Sequence, residues 1–110
     1  MKTILALVDD IYEDLELWYP KLRIEEEGWK VVLAGPKAGN LYAGKHGYPC
    51  KADVDIGDVE DPLAYDGLLV PGGFAPDKLR RDPNVLHIVR TMHEAGRPIA
   101  FICHAGWILI

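Results

Sequence analysis

The sequence has few of the features that mark secreted or membrane-bound proteins. It contains only two cysteines, Cys50 and Cys103, too few for the dense disulfide framework of a small secreted domain. Its apolar runs are far shorter than the roughly 20 residues that a membrane-spanning helix needs. The N-terminal segment MKTILALVDD has a short apolar run that ends at two aspartates, which is typical of a first β-strand rather than a signal peptide. We therefore expect a cytoplasmic protein with both thiols reduced.

The sequence also lacks an excess of positive charge. Its 12 Lys and Arg are outnumbered by 17 Asp and Glu, for a net charge of -5, which argues against nucleic acids and anionic membranes as partners. No phosphate-binding loop or glycine fingerprint follows the first apolar run, so no nucleotide or flavin cofactor is predicted. Asp9 and Asp10 have no His or Cys at metal-binding spacing, so no metal is predicted either.

Four short, near-continuous apolar runs are typical of strands buried on both faces of a parallel sheet. They lie at residues 4–8, 30–34, 67–70 and 98–102. The glycine-rich segment between residues 35 and 58 has a different pattern. It predicts a hairpin-like excursion with short strands at residues 40–43 and 48–53.

Helical patterns separate these runs. The first covers residues 13–27, and its predicted buried face consists of Leu15, Trp18, Tyr19 and Leu22. The second begins after the predicted N-cap Asp82, has Pro83 at its first position and ends at Gly96.

This order of elements predicts one α/β domain with a doubly wound, mostly parallel sheet in a three-layer α/β/α arrangement. In such sheets the site lies beyond the carboxyl ends of the strands. Segments 9–13, 71–77 and 103–107 follow strands at that edge and hold most of the candidate chemistry. The final segment HAGWILI would form only about two helical turns and end on apolar residues, so we expect the 110 residues to be part of a longer domain.

Cys103 is the strongest candidate for a nucleophile. It follows an apolar strand and precedes a predicted helix, whose N-terminal dipole favours the thiolate. The alternative is a buried core cysteine, which is a common location for this residue. A tight strand–turn–helix elbow prefers small residues two positions to either side. Ala105 satisfies this preference, whereas Phe101 does not.

Further candidates surround Cys103. The backbone N–H groups of Gly72, Gly73 and His104 form a possible oxyanion hole, although Pro-Gly-Gly is also an ordinary turn after a strand. The His104 ring is a general base only if it turns back toward the sulfur; otherwise it is a surface histidine. Glu13 is either a dipole-compensating acid at a helix start or a carboxylate buried beside Cys103 that hydrogen-bonds its sulfur.

Several motifs together resemble the ThiJ/PfpI family, specifically its intracellular protease I (PfpI) branch. They are YEDLELWYP, GKHGYP, YDGLLVPGGFAPD and PIAFICHAGW, in the order and spacing of that family. The resemblance covers essentially the whole sequence. It implies a flavodoxin-like fold of the class I glutamine amidotransferase-like type, and family members that are longer than this chain by about half.

The resemblance also implies roles for particular residues. Cys103 would be the nucleophile, Glu13 the carboxylate that meets its sulfur, and His104 the catalytic histidine. In the PfpI branch a glutamate from an adjacent subunit completes the triad, and the matching residue here is Asp77, a shorter carboxylate. A homo-oligomer, at least a dimer, is therefore expected.

Two hypotheses of function follow. The first is a PfpI-type cysteine hydrolase that acts on a small molecule or a peptide, as a peptidase or amidase or by deglycase- or glyoxalase-like carbonyl chemistry. The second is a redox-sensing or chaperone-like stress protein without turnover, in which Cys103 is oxidised to a sulfinic acid. A cofactor-binding flavodoxin-like module is disfavoured because no phosphate loop is present.

Overall fold

A five-stranded parallel sheet forms the centre of the protein, as seen in a computed structural model that describes residues 2–109. Its strands are β1 (Thr3–Leu7), β2 (Lys30–Gly35), β5 (Val54–Asp55), β6 (Gly67–Val70) and β7 (Ile99–Phe101). Their order across the sheet is β5-β2-β1-β6-β7, and every adjacent pair is parallel. The four apolar runs are thus confirmed as strands, to within one residue at each end.

The crossover connections run toward both edges of the sheet from the central strand β1. The chain crosses to β2 through α1 (Asp14–Glu26), and later from β6 to β7 through α3 (Pro83–Glu94), toward the opposite edge. Right-handed crossovers in opposite directions place the two helices on opposite faces of the sheet, which gives the predicted α/β/α layers. The point where the direction reverses lies between β1 and β6. In sheets of this kind, the crevice beyond the carboxyl ends of such strands is where ligands bind.

Both faces of β1, β2 and β6 are covered, as their apolar runs predicted, whereas in β7 Ala100 and Phe101 are exposed, so the prediction of a strand buried on both faces is wrong there. In β1 and just after it, Leu5, Ala6, Leu7 and Val8 have no exposed surface, and all of β6 is buried. The predicted hairpin is also confirmed, as the antiparallel pair β3 (Leu41–Ala43) and β4 (Pro49–Lys51). The sequence pattern missed β5, which adds to the main sheet beside β2, and the short helix α2 (Ala75–Leu79) after β6.

The predicted buried face of α1 is wrong. Leu15 and Tyr19 are each 72% exposed and Leu22 is 52% exposed, whereas Leu17 is fully buried. Trp18 and Ile24 are partly buried against the core. Apolar residues lie on both sides of this helix. Helical spacing alone could not tell the buried side from the exposed side, and it led to the exposed one.

The segment after β7 is a 3-10 helix, Cys103–Leu109, rather than the predicted start of an α-helix. Ala105 and Ile108 are its buried residues. Ile110, where the predicted helix would end, lies outside the described residues. Within residues 2–109, no helix has both the length and the apolar character needed to cross a membrane.

Candidate active site

Three turns meet at the carboxyl edge of the sheet, after β1, β6 and β7. The turns after β1 and β6 are joined directly by backbone hydrogen bonds. The Glu13 N–H donates to the Gly72 oxygen at 3.1 Å, and the Phe74 N–H donates to the Ile11 oxygen at 2.8 Å. Neighbouring parallel strands end at the same edge, and so the segments predicted from the sequence do come together.

Two non-glycine residues in these turns have left-handed backbone conformations. Ile11 has φ 64° and Cys103 has φ 59°. Such values are uncommon outside glycine and are held only where the surrounding structure fixes them. At Ile11 the constraint is visible, since its N–H donates to the Ala43 oxygen at 2.8 Å and its own oxygen accepts from Phe74. Both strained residues lie at the candidate site.

Cys103 lies at the sharp turn between β7 and the 3-10 helix. Its thiol is free and exposed, whereas Cys50 is free and buried, so the core-cysteine alternative does not hold for Cys103. The Ala105 N–H donates to the Ile102 oxygen at 3.1 Å and closes the turn. The ring of Phe101 is half exposed and lies beside Gly106, where a Cβ would be 3.6 Å from it. A left-handed residue exactly at the turn is what presents the sulfur to solvent.

The carboxylate of Glu16 and the turn of Cys103 both lie against Gly72. Glu16 Oε1 accepts a hydrogen bond from the Gly72 N–H at 2.9 Å. A Cβ added at Gly72 would collide with Glu16 Oε1 and would lie 2.7 Å from the Cys103 Cβ. Gly72 is therefore the spacer that lets the carboxylate of α1 and the cysteine turn approach each other, and only glycine fits there.

Glu13, which the sequence suggested for this position, has other partners. Its Oε2 lies 3.4 Å from Lys45 Nζ and 3.7 Å from His46 Nε2, both in the turn between β3 and β4. Its backbone N–H, rather than its side chain, borders the Pro-Gly-Gly turn. The expectation of Glu13 beside the sulfur is thus corrected to Glu16, one helical turn further along. The spacing of YEDLE could have suggested Glu16, but the sequence alone does not choose among its acidic residues.

The oxyanion-hole candidates differ in availability. The Gly72 N–H is engaged by Glu16, which removes it from the predicted donor set. Within the described residues, the N–H groups of Gly73 and His104 have no acceptor. Gly73 has φ 85°, and a Cβ there would lie 2.5 Å from the Ile11 oxygen, so this position also requires glycine. Of the three donors predicted for the oxyanion hole, Gly73 and His104 thus remain free.

The imidazole of His104 is exposed and turned toward Trp107. The two rings are stacked with centroids 4.9 Å apart and planes 4° from parallel. Arg80 adds to this group, because its Cζ lies 5.7 Å from the centre of the indole ring. Trp107 and Arg80 were not singled out from the sequence, since their contact depends on how α2 packs against the 3-10 helix.

Asp77 lies half-buried in α2, directly after the Pro-Gly-Gly turn. Its Oδ1 is buried without a hydrogen-bond partner among residues 2–109. The Asp77 backbone oxygen accepts from Arg81 Nε at 3.0 Å. Its predicted role in the site of an adjacent subunit stays a prediction.

Asp14 ties the β3–β4 turn to the start of α1. It is only 8% exposed, and its two oxygens accept from the N–H groups of His46 and Tyr48, each at 2.9 Å. Burial by itself acts to raise the pKa of this carboxyl, but the two N–H donors outweigh it and hold the pKa below the ordinary aspartate value. Asp14 thereby fixes the turn that carries the partners of Glu13.

The predicted absence of a metal ion stays a prediction. Among residues 2–109, no group of three or more His, Cys, Asp or Glu side chains is placed to hold a metal ion. The predicted absence of an organic cofactor stays a prediction.

The fold and the site together define a class of protein: a flavodoxin-like α/β domain with an exposed cysteine on the turn after a parallel strand. The sequence profile of the DJ-1/PfpI family matches residues 2–110, and the chain belongs to this family. The resemblance noted from its four motifs is thereby confirmed.

Similar proteins include several that are named as deglycases. The chain is 44% identical to one from Thermococcus kodakarensis and 42% identical to Deglycase PfpI from Pyrococcus furiosus, over 107 residues in each case. These matches cover 97% of this chain but 63% of each relative. The chain thus spans less than two thirds of the length of these relatives.

Solved structures share the fold. A two-domain protein from Anabaena variabilis, with DJ-1/ThiJ/PfpI-like and ferritin-like domains, superposes with a TM-score of 0.95 at 32% identity. That match covers 99% of this chain and 31% of the other. Oxidized DJ-1 from Toxoplasma gondii superposes with a TM-score of 0.87 at 24% identity, covering 98% of this chain and 59% of that chain, a likeness of fold alone.

Proposed function

We propose that this chain carries the nucleophile of a cysteine-dependent enzyme that acts on carbonyl carbon. The observation that carries the proposal is the exposed thiol of Cys103 at φ 59°, beside Gly72 and the Glu16 carboxylate. A strained turn that presents a thiol next to unoccupied backbone donors is the arrangement that acyl-transfer and carbonyl-addition chemistry needs.

The proposed first step is attack of the Cys103 thiolate on a carbonyl carbon. A C–S bond forms, the thiol proton passes to His104, and the carbonyl electrons move to the oxygen, which the Gly73 and His104 N–H groups hold. With an aldehyde or ketone, His104 then returns the proton to this oxygen, which gives a hemithioacetal. With an amide, the C–N bond then breaks as His104 returns the proton to the leaving nitrogen, and water hydrolyses the thioester to restore the thiol.

Among carbonyl substrates, glycated or dicarbonyl compounds are the first candidates, because the relatives described above carry the name deglycase. Peptide or amide hydrolysis is the second candidate. Both begin at the same sulfur, so both are tested with the same variant.

The test is replacement of Cys103 by serine, which keeps the shape of the turn and removes the thiol. We expect Cys103→Ser to lose both the consumption of methylglyoxal and the cleavage of a fluorogenic peptide amide. Cys50→Ala is the matched control, because it removes the other thiol of the chain, which is buried away from the turn. Persistence of both activities in folded Cys103→Ser would show that Cys103 is not the nucleophile.

The participation of Asp77 from a neighbouring subunit is a separate part of this proposal. If Asp77 completes the site in trans, Asp77→Ala and Cys103→Ser chains should each be inactive alone. Mixed after dissociation and reassembly, they should recover activity, since mixed assemblies contain one intact site. An active monomer in sedimentation experiments would exclude this arrangement, and so would mixed assemblies that stay inactive.

Oxidation sensing is a second candidate function, favoured by the exposure of Cys103 and by the adjacent Glu16 carboxyl. Peroxide would oxidise the thiolate through the sulfenic to the sulfinic acid. Mild peroxide treatment followed by mass spectrometry should then add two oxygens, about 32 Da, selectively to the Cys103 peptide. Equal oxidation of the Cys50 peptide, or none at Cys103, would count against a sensor.

A further inference from the structure

The stack of His104 on Trp107 follows from the geometry of the 3-10 helix. With three residues per turn, side chains at positions i and i+3 eclipse each other, whereas in an α-helix they are offset. His104 and Trp107 have that spacing within Cys103–Leu109. Their rings are accordingly almost parallel, at 4° and 4.9 Å. The local helix type therefore sets the plane of the imidazole directly after the candidate nucleophile.

Trp107 is itself held from a second element. Arg80 is the C-terminal cap residue of α2, and its guanidinium lies over the indole at 5.7 Å. Such cation–π contacts are favourable even at exposed sites. α2 and the 3-10 helix also pack against each other. The helix that follows the Pro-Gly-Gly turn is thus linked, through Trp107, to the orientation of His104.

We propose that Trp107 is a positioning residue for His104, an inference that rests on the proposed function. His104 is exposed, so an isolated imidazole there would sample several rotamers. Stacking on Trp107 restricts the ring to one plane and so fixes the direction in which its nitrogens point. The stack would therefore affect the rate of proton transfer through His104, and Trp107 is assigned no contact with the Cys103 sulfur.

The experiment compares Trp107→Phe and Trp107→Leu in the full chain, with methylglyoxal as the probe. Leucine keeps an apolar side chain but offers no aromatic face, and we expect kcat to fall by roughly two- to tenfold, the equivalent of one aromatic pair. KM should change little, because Trp107 is assigned no contact with substrate. Phenylalanine retains a ring to stack on and should restore most of kcat.

Trp29→Leu is the matched control. Trp29 is also partly exposed and also has a cation over its ring, Lys2 Nζ at 5.8 Å, but it lies directly before β2. We expect its replacement to leave kcat unchanged. NMR gives a reading that needs no turnover, since stacking on the indole shifts the His104 ring protons upfield and Trp107→Leu should abolish that shift.

The outcomes separate the two proposals. Absence of turnover in the unmodified chain would overturn the proposed function and, with it, the positioning role. Turnover that is equal in Trp107→Leu and the unmodified chain would overturn the positioning role alone. The same applies if Trp107→Phe and Trp107→Leu lose activity equally, because a structural defect would then account for the loss.

Discussion

Three acidic residues of the YEDLE segment have three different environments. Glu13 pairs with Lys45 and His46, Asp14 accepts from the β3–β4 turn, and Glu16 accepts from Gly72 beside the cysteine. Residues one turn apart on a helix point to neighbouring directions, so a short acidic cluster can serve several partners at once. Of the three, Glu16 is the one that shares Gly72 with Cys103.

Neutralising Glu16 should therefore reduce turnover more than neutralising Glu13. Glu16→Gln retains an acceptor for the Gly72 N–H but loses the charge, and hydrogen bonds to charged groups are about twice as strong as neutral ones. We expect kcat/KM for methylglyoxal to fall roughly tenfold, which corresponds to a loss of about 1.4 kcal/mol of transition-state stabilisation.

Glu13→Gln is the control for this prediction, because it is isosteric with the other change and lies one helical turn away. We expect it to stay within about twofold of the unmodified chain, because Lys45, the partner of Glu13, is about half exposed and solvent weakens the pair. An equal loss in the two variants would show that the charge of the helix start matters, and not the position of Glu16.

Which residues are near Cys103 could be predicted only in part. Cys103, His104 and Gly73 follow from their positions after strands, because the carboxyl edge of a parallel sheet is defined by the strand pattern. Glu16 does not, since its approach to the cysteine depends on how closely α1 lies against Gly72. Trp107 does not either, because the expected α-helix would have offset it from His104.

The two sides of α1 provide a test at the level of the helix. Leu17 is fully buried, whereas Leu15, two residues earlier, is 72% exposed. We expect Leu17→Ala to lower the free energy of unfolding by about 2–5 kcal/mol, and Leu15→Ala to change it by less than about 0.5 kcal/mol. Urea unfolding at neutral pH measures both. A larger loss of unfolding free energy in Leu15→Ala than in Leu17→Ala would support the buried face that the sequence pattern predicted.

The β3–β4 turn should contribute stability that depends on pH through Asp14. Because its folded pKa is lowered, the contribution is complete above the ordinary aspartate pKa, about 3.9, and is lost as the pH falls through the folded value. Asp14→Asn turns one acceptor into a donor that faces an N–H group. We expect a loss of about 1–3 kcal/mol at pH 7, and a smaller difference from the unmodified chain in acid.

Asp58→Asn is a suitable comparison, because Asp58 is exposed and its carboxylate accepts no hydrogen bond within the described residues. Its unfolding free energy should match that of the unmodified chain at both pH values. A gap between Asp14→Asn and the unmodified chain that stays constant down to pH 3 would contradict the assignment to Asp14 ionisation.

The regular elements were more predictable than their orientations. Strands buried on both faces leave an apolar run that needs no further information, and Asp82 and Pro83 mark the start of α3, where Asp82 accepts from the Asn84 N–H at 2.8 Å. β5 was missed because two residues are too short to form a pattern. The buried side of α1 was missed because Leu15, Tyr19 and Leu22 have helical spacing without being buried.

At the scale of the whole molecule, the site is a property of the sheet order. β1, β6 and β7 are adjacent, although β1 and β6 are separated by about sixty residues that include β2 and the β3–β4 hairpin. No single segment contains the site. Its parts meet only where β1 pairs with β6 and β6 with β7.

These three strands differ in how firmly they are held. Within residues 2–109, β1 pairs on both sides and Leu5, Ala6 and Leu7 have no exposed surface, whereas β7 has three residues and pairs with β6 alone. In native-state hydrogen exchange, we expect the amides of Leu5 and Ala6 to exchange only through global unfolding. Those of β7 should exchange faster, through local opening. Equal exchange rates in the two strands would contradict this expectation.

In the 110-residue chain, the position of β7 at the end of the strand order would set how the proposed chemistry is lost on mild denaturation. If β7 detaches from β6, the backbone conformation that holds Cys103 is released while most of the core, including β1, stays folded. The local free energy of β7 opening, rather than the global stability of the domain, would determine how long the thiol remains in its reactive geometry.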